Sequence, residues 1–313
     1  MTATTTSTPP ARPSATSAVP GPGTRGPRRL RLSPASWRDK GRQRAVVARY
    51  VLLVLVLGIS IGPIVWQLFS SLKGPAEAIF GSAATFVPRD PSLDAYRTVF
   101  DQVPMAQYMR NSLIMCVLTV TSQVVFPTLA GYMLSRVAWA GRRVFYWLLI
   151  LSMMFPFESI MVSLYMMVRD MGLSDSFVGV WLPGAIAAVN VLIMRATFAA
   201  VPNEVEEAAL LDGADEWTRF RRIFLPAAKG SMVVVIINSF ISAWDDFLWP
   251  FIVLRSEEHF TLALGLARLS ASALSFDPRV IMAGSIIAIA PIMVLFVVLQ
   301  RYFFRGVESG AIK

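Results

Sequence analysis

Three carboxylates stand within or beside long apolar runs and have the right type for acid–base chemistry: Glu158 in Phe155-Pro156-Phe157-Glu158-Ser159, and Asp245 and Asp246 after Trp244. Retaining glycosidase chemistry needs two carboxyl groups roughly 5 Å apart in one cleft, one to protonate the leaving group and one to attack. Adjacent residues point in different directions on a helix, so Asp245 and Asp246 are badly placed for it. One histidine, His259, and one cysteine, Cys116, exclude His-rich zinc or di-iron sets, multi-Cys metal sites and any intrachain disulfide. Cys116 lies in an apolar run and reads as a small hydrophobe. No Gly-Lys dipeptide occurs, so the phosphate-cradling P-loop is absent. The chain is therefore expected to be no enzyme, with no catalytic residue, metal or cofactor, and any ATP chemistry would belong to another chain.

The same apolar runs hold uncharged polar groups. Asn238, Ser239, Ser242, Trp244 and Trp249, with the two aspartates, give half of one hydrophobic stretch hydrogen-bonding and aromatic character. That mix suits a hydroxyl-rich neutral ligand, whose polar edges need partners and whose ring faces stack on indole. The competing reading sets the tryptophans at a membrane boundary and the aspartates in external water, and it is preferred for Asp245 and Asp246. Asn238, Asn190 and Gln123 are expected to line a path for the ligand. Glu158 either joins them or pairs two helices, because an ionised group at mid-bilayer needs a partner or a watery cavity.

These residues require membrane helices to position them. Hydrophobic residues make up 55% of the 313-residue chain, charged residues 16%, and the mean hydropathy is +0.57. Soluble domains hold roughly 45–50% apolar residues. Six stretches reach the roughly 20 residues a bilayer core demands: about 50–72, 111–134, 144–168, 178–198, 232–254 and 280–300. An all-α fold of six spans, occupying residues 46–313, is predicted. The apolar core of the first span starts too late and runs too long for a cleaved signal, so it is expected to stay as an anchor. Pro63, Pro127, Pro156, Pro183 and Pro291 predict local kinks. Gly58/Gly62, Gly184/Ala188 and Gly284/Ala288 are small-residue pairs that allow close helix approach.

The net charge of +9 is concentrated at one end. The first 49 residues hold ten Lys/Arg and one acid, leaving nineteen of each beyond, so nucleic acid is excluded as a main partner. Residues 1–45 read as a disordered, basic cytoplasmic tail, too poor in large apolar groups to fold. With both termini inside, 21 Lys/Arg fall on the cytoplasmic side against eight outside, and 11 against eight without the tail. That bias predicts an N-in, C-in topology in a plasma membrane.

The loop over 201–226 is more than a connector. Pro202-Asn203 followed by Glu204, Glu206 and Glu207 predicts a helix start, with Asn203 capping the free amides. Gly213 supplies a left-handed stop. Asp215 can cap a second helix bearing Trp217, Phe220, Ile223 and Phe224, which Pro226 ends. Ala208 and Ala209 beside Glu207 make a surface that lets another protein approach and pair with a carboxylate. Six acids against four bases between 199 and 230 argue against adsorption to an anionic leaflet.

Glu207-Ala208-Ala209, Asp212-Gly213-Ala214, Phe220, Ile223 and Leu225-Pro226 resemble the EAA loop of the membrane subunits of bacterial ATP-binding cassette importers. Phe86-Val87-Pro88, Trp244-Asp245-Asp246-Phe247-Leu248-Trp249-Pro250 and Gln300-Arg301-Tyr302-Phe303-Phe304-Arg305-Gly306 are similar to the carbohydrate-uptake branch, the maltose-permease-G-like proteins. The resemblance implies a type I importer permease with a cytoplasmic coupling-helix hairpin. It also implies its partners: a second permease subunit, cytoplasmic ATP-binding subunits, an extracellular solute-binding protein, a sugar and membrane lipid. It implies that Glu207, with Ala208, Ala209 and Ala214, meets the ATPase, that Gly213 sets the bend and Asp212 helps hold it, and that residues 306–313 reach toward the ATPases. Gly230 stands where the family has a proline, and Ala227 where it has a leucine, which bears on how the fifth span begins. An ion-coupled carrier or channel without an ATPase is the alternative, and it leaves the hairpin unexplained.

Overall fold

The computed structural model describes residues 35–271 and 277–311, with side chains over 45–271 and 277–300. The expected tail lies outside the described residues up to 34, as do residues 312 and 313 of the C-terminal stretch. The chain divides into two units, Met1–Gly58 and Ile59–Lys313. Helix α1, Ala35–Ser71, reaches back into the expected tail, where Arg, Lys and Gln are good helix formers.

In the second unit the architecture is all-α. Among the described residues there is no strand, only an isolated bridge between Lys73 and Pro91. Helix α2 (Asp94–Gln102) leads into α3 (Met105–Ser135), then α4 (Arg142–Ser152), α5 (Phe157–Asp170), α6 (Phe177–Trp181, continued by a 3-10 turn Leu182–Gly184) and α7 (Ala188–Ala199). The hairpin region is α8 (Asn203–Leu211), α9 (Glu216–Arg219), a π turn (Phe220–Phe224) and α10 (Leu225–Ala227). Helices α11 (Lys229–Asp245), α12 (Leu248–Val253), α13 (Leu262–Ala271) and α14 (Pro278–Ala311) complete the chain.

Three described helices are long and apolar enough to cross a membrane unbroken, and counting each of three bent pairs as one span gives up to six. The prolines explain only part of this. Pro63, Pro127 and Pro291 lie inside continuous helices. The expected third span is instead broken at Pro156, where α4 and α5 meet at 104°. The α6 and α7 segments bend by 46° just after Pro183.

The expected fifth span, 232–254, needs correction. Helix α11 stops at Asp245, and Asp246 turns into an extended conformation. Beyond it α12 is a separate short helix held from the side: Trp249 Nε1 donates to Val180 O at 3.1 Å and its ring stands 5.6 Å from that of Phe157. Trp244 donates to Ala288 O at 3.0 Å. Both indoles are buried, so neither serves as a membrane-boundary anchor, because each N–H finds an acceptor inside the protein. Asp245 is exposed, as the sequence suggested, while Asp246 is half-buried.

Helix α3 is the central post, packed along α7, α11 and α13. Gly131 permits close approach to α7: a Cβ there would lie 2.7 Å from the Arg195 backbone N. Of the small-residue pairs, Gly284 is in close approach, since a Cβ on it would stand 2.9 Å from Leu266 Cδ2, whereas Gly62 and Gly184 face open space within this chain.

Candidate functional site

The hairpin is built from local rules. Helix α8 ends in a Schellman motif: Ala214 N–H bonds Ala209 O at 2.9 Å and Gly213 N–H bonds Leu210 O at 3.0 Å. Gly213 sits at φ +77°, left-handed, as expected of a residue without a Cβ. The N–H of Asp212 closes the last turn of α8, bonding Ala208 O at 3.0 Å. Asp215 caps α9, its Oδ1 accepting from Thr218 N–H at 3.1 Å, and hydrogen bonding by Thr218 holds its carboxyl below the usual carboxylate range.

Asn203 does not cap α8. It is the first helical residue, after Pro202, and its Oδ1 accepts from Arg136 Nη1 at 2.8 Å. Arg136 ends α3, and only 6% of its side chain is exposed. Its Nε and Nη2 donate to Phe198 O at 3.0 and 2.6 Å, and Nη2 also reaches Val201 O. These carbonyls close the end of α7, where backbone oxygens favour a cation; Phe198 O also accepts from Val201 N–H at 3.2 Å. Nη1 also pairs with Glu206 Oε2 at 3.2 Å. Glu206 in turn pairs with Arg219 at 2.7 Å, Arg219 with Glu216 at 2.6 Å, and Glu216 accepts from the Tyr132 hydroxyl at 2.6 Å.

A chain of charge-assisted bonds thus runs from α3 through both arms of the hairpin and back to α3. The sequence reading missed Arg136, Glu206, Arg219 and Glu216. The Glu216–Arg219 spacing of three was a legible helix pair, but nothing local places Arg136 beside Asn203.

Aromatic packing seats the second arm. Phe220 and Phe224 are buried against Tyr132 and Phe198, with ring centroids 4.9 and 5.2 Å from Tyr132. Trp217, expected in that stripe, is mostly exposed. Pro226 lies within α10 rather than ending the arm abruptly. The 71° turn into α11 comes at Ala228, and Gly230 falls inside the first turn of α11.

With the inner face of α8 occupied, the outer one is open. Glu207, Ala208 and Asp212 are exposed, Ala209 and Ala214 partly so, and Leu211 is 91% exposed.

Deeper in the bundle the uncharged amides meet. Asn190 Nδ2 donates to Gln123 Oε1 and, at 3.2 Å, to Ser239 Oγ, while Gln123 Nε2 donates to Gly184 O at 2.8 Å. Asn190 and Ser239 are fully buried and Gln123 nearly so. This cluster pins α3, α7 and α11 together. Asn190 therefore lines no open path in this conformation, because its donors and its site are filled by protein. Asn238 is exposed, with only a 3.5 Å contact to Asn190 Oδ1. Glu158 stands apart from the cluster, exposed in the first turn of α5, where a carboxylate complements the positive helix end.

Gln123 also borders a cavity of about 120 Å³ shared with Thr119, Trp181, Ser242, Asp246 and Thr261. Thr261 Oγ1 is buried there without a hydrogen-bond partner. Among the described residues no group of histidine, cysteine or carboxylate side chains is arranged to hold a metal ion.

A family model described as a binding-protein-dependent transport system inner membrane component matches residues 123–309. The chain belongs to that family. It is similar, at 31% identity over 82% of its length and 92% of the relative's, to the arabinooligosaccharides transport system permease protein AraQ of Halalkalibacterium halodurans. It is 33% identical to AraQ of Bacillus subtilis over 80% and 90% of the two chains, and 28% identical to the lactose transport system permease protein LacG of Rhizobium radiobacter over 85% and 96%. A chain from the crystal structure of a bacterial ABC transporter involved in the import of the acidic polysaccharide alginate superposes with a TM-score of 0.75, at 26% identity, over 84% of this chain and 98% of that one. The six-segment helical architecture is thus that of a type I importer permease, and the family places the chain in a membrane as a transport subunit. Its hairpin and amide cluster both fall within the stretch that the family model covers.

Proposed function

We propose that this chain is the membrane-spanning subunit of an ATP-driven sugar importer, forming the translocation path with a second permease subunit and receiving solute from an external binding protein. The observation that carries the reading is the hairpin: its inner face is locked by buried ion pairs, while its outer face presents Glu207, Ala208 and the almost fully exposed Leu211. A rigid element with an apolar, carboxylate-edged face is built to be pushed. A separate cytoplasmic ATPase docks there, Glu207 pairs with one of its cations, and closure of the ATPases moves the spans between inward- and outward-facing states. Both chain termini are then cytoplasmic.

The sugar class is supported by relatives named for arabinooligosaccharide and lactose transport. The cavity beside Gln123 has fitting chemistry, an indole next to amide, hydroxyl and carboxylate groups. Gln123 and Asn238 are retained as path residues and Glu158 as an exposed group beside the bend at Pro156. Asn190 acts behind them by holding Gln123.

The test is co-purification of the chain with an ATP-hydrolysing subunit, followed by reconstituted uptake. Glu207→Arg and Gly213→Pro are expected to leave the protein in the membrane while abolishing ATP-dependent uptake. Full uptake with no ATPase present would overturn the reading.

A further inference from the structure

We propose that Arg136 is the positioning residue that turns the hairpin into a lever, locking α8 to the ends of α3 and α7 so that force applied to α8 reaches the membrane helices without slack. The inference rests on the importer reading above and concerns how this chain transmits force.

The covalent route from α8 to α7 is narrow. Of the three residues between Ala199 and Asn203, Ala200 and Val201 bond back to α7, through Ala196 O at 3.1 Å and Phe198 O at 3.2 Å, and Pro202 has no N–H to give, so the backbone joint comes down to that one residue. Arg136 bridges it. Its backbone N–H bonds Tyr132 O at 2.9 Å and so belongs to α3. Its guanidinium reaches Phe198 and Val201 at the end of α7, Asn203 and Glu206 in the first two turns of α8, and lies 5.0 Å from the ring centroid of Phe224 in the π turn.

A planar fork of five donors can hold four acceptors in fixed directions, which the ammonium of lysine cannot. Glu206 neutralises the buried charge and hands the connection to Arg219, so the returning arm is tied to the same node. Glu207 and Leu211, on the exposed side of α8, are not among the contacts of Arg136. Docking and transmission therefore occupy separate residues and can be separated by mutation.

The test uses the complete assembled complex in lipid nanodiscs and in proteoliposomes. Spin labels at Met133→Cys in α3 and Val205→Cys in α8, exposed and away from Glu207, Ala208 and Leu211, report the distance between the two helices, and Cys116 is buried. The unsubstituted clamp is expected to give one narrow distance with and without a non-hydrolysable ATP analogue. In Arg136→Gln the distribution should broaden, the ATPase should still co-purify and hydrolyse ATP, and sugar taken up per ATP should fall about tenfold, an ordinary coupling loss. Arg136→Lys should recover part of that ratio.

An unchanged ratio of uptake to hydrolysis in Arg136→Gln, or a distribution as narrow as that of the parent, overturns the proposal. If Arg136→Gln fails to assemble, Asn203→Ala and Glu206→Gln each remove one acceptor, and unaltered coupling in both overturns it equally. Should the parent chain bind no ATPase, the importer reading fails instead, and the distances alone decide whether the clamp exists.

Discussion

Gly131 in α3 is defined by an atom it lacks. A Cβ there would stand 2.7 Å from both the backbone N of Arg195 and Met194 Cβ, and neither backbone nor Cβ can swing aside. Gly131→Ala is expected to force α3 and α7 apart and to destabilise the protein by about 1–3 kcal/mol, the usual effect of overpacking, read as a lower melting temperature in detergent. Gly213 is the opposite case. Open space surrounds it and only its positive φ demands glycine, so Gly213→Asn should be tolerated and Gly213→Val should not, judged by yield and uptake. That requirement was legible in the sequence, because a glycine after an amphipathic turn is a local signal. Gly131 was not, since its reason lies 64 residues away on another helix.

Asp175, in the loop before α6, shows how a charge is held at the surface. Burial alone would raise its carboxyl. Hydrogen bonds from the Ser256 hydroxyl and from the N–H groups of Arg255 and Ser256 outweigh burial and hold it well below the usual range, with His259 Nδ1 3.2 Å away. The folded state thus binds this proton more weakly than the unfolded chain. Its stabilisation is complete above roughly pH 4, the ordinary aspartate value, and is lost as pH falls below that. A melting curve against pH should show this acid-side loss, and Asp175→Asn should flatten it.

Among the elements, the cluster joining α3, α7 and α11 separates two kinds of asparagine. Asn190→Leu would take from Gln123 Oε1 and Ser239 Oγ the donor they share, leaving Gln123 Oε1 only the Ser239 hydroxyl at 3.2 Å; at a cost of about 1–3 kcal/mol it should lower the melting temperature along with uptake. Asn238→Leu, at an exposed position, should leave the melting temperature alone while reducing uptake; equal behaviour of the two would contradict the division of roles. Sequence reading grouped these residues as intramembrane amides but could not say which were spent on each other. The spans were legible from their apolar length. Their breaks were not: Pro156 and Pro127 are the same residue type, yet one marks a 104° bend and the other sits inside a continuous helix. The difference lies in what packs alongside. Helix α3 is flanked by neighbours that hold it straight, while α4 buries none of its side chains. Likewise α12 was read as the end of a span because Leu, Trp, Phe, Ile and Val continue the apolar run, while the extended backbone at Asp246 and the Trp249 bond to Val180 O make it a separate helix.

For the whole molecule, the six segments demand a defined sidedness. A cysteine at Leu211 should react with an impermeant maleimide only in inside-out vesicles, and one at Arg169 only in right-side-out cells. The reverse pattern would invert the topology and remove the hairpin from any cytoplasmic ATPase. The expected sidedness rests on the charge bias and the EAA resemblance, both long, redundant signals. The clamp around Arg136 was invisible, as it depends on three distant stretches meeting. The π turn at Phe220–Phe224 adds one more constraint. The N–H of Leu225 bonds Phe220 O, five residues back, so this stretch holds one residue more than an α ladder would use. Removing Arg221 or Arg222, both exposed, would let an ordinary α turn re-form, with the N–H of Leu225 still over Phe220 O and α11 keeping its side toward α3. Adding a residue would exceed what the wide turn already absorbs and swing everything after it by about 100°. A one-residue deletion there should leave folding in detergent intact, and a one-residue insertion should not.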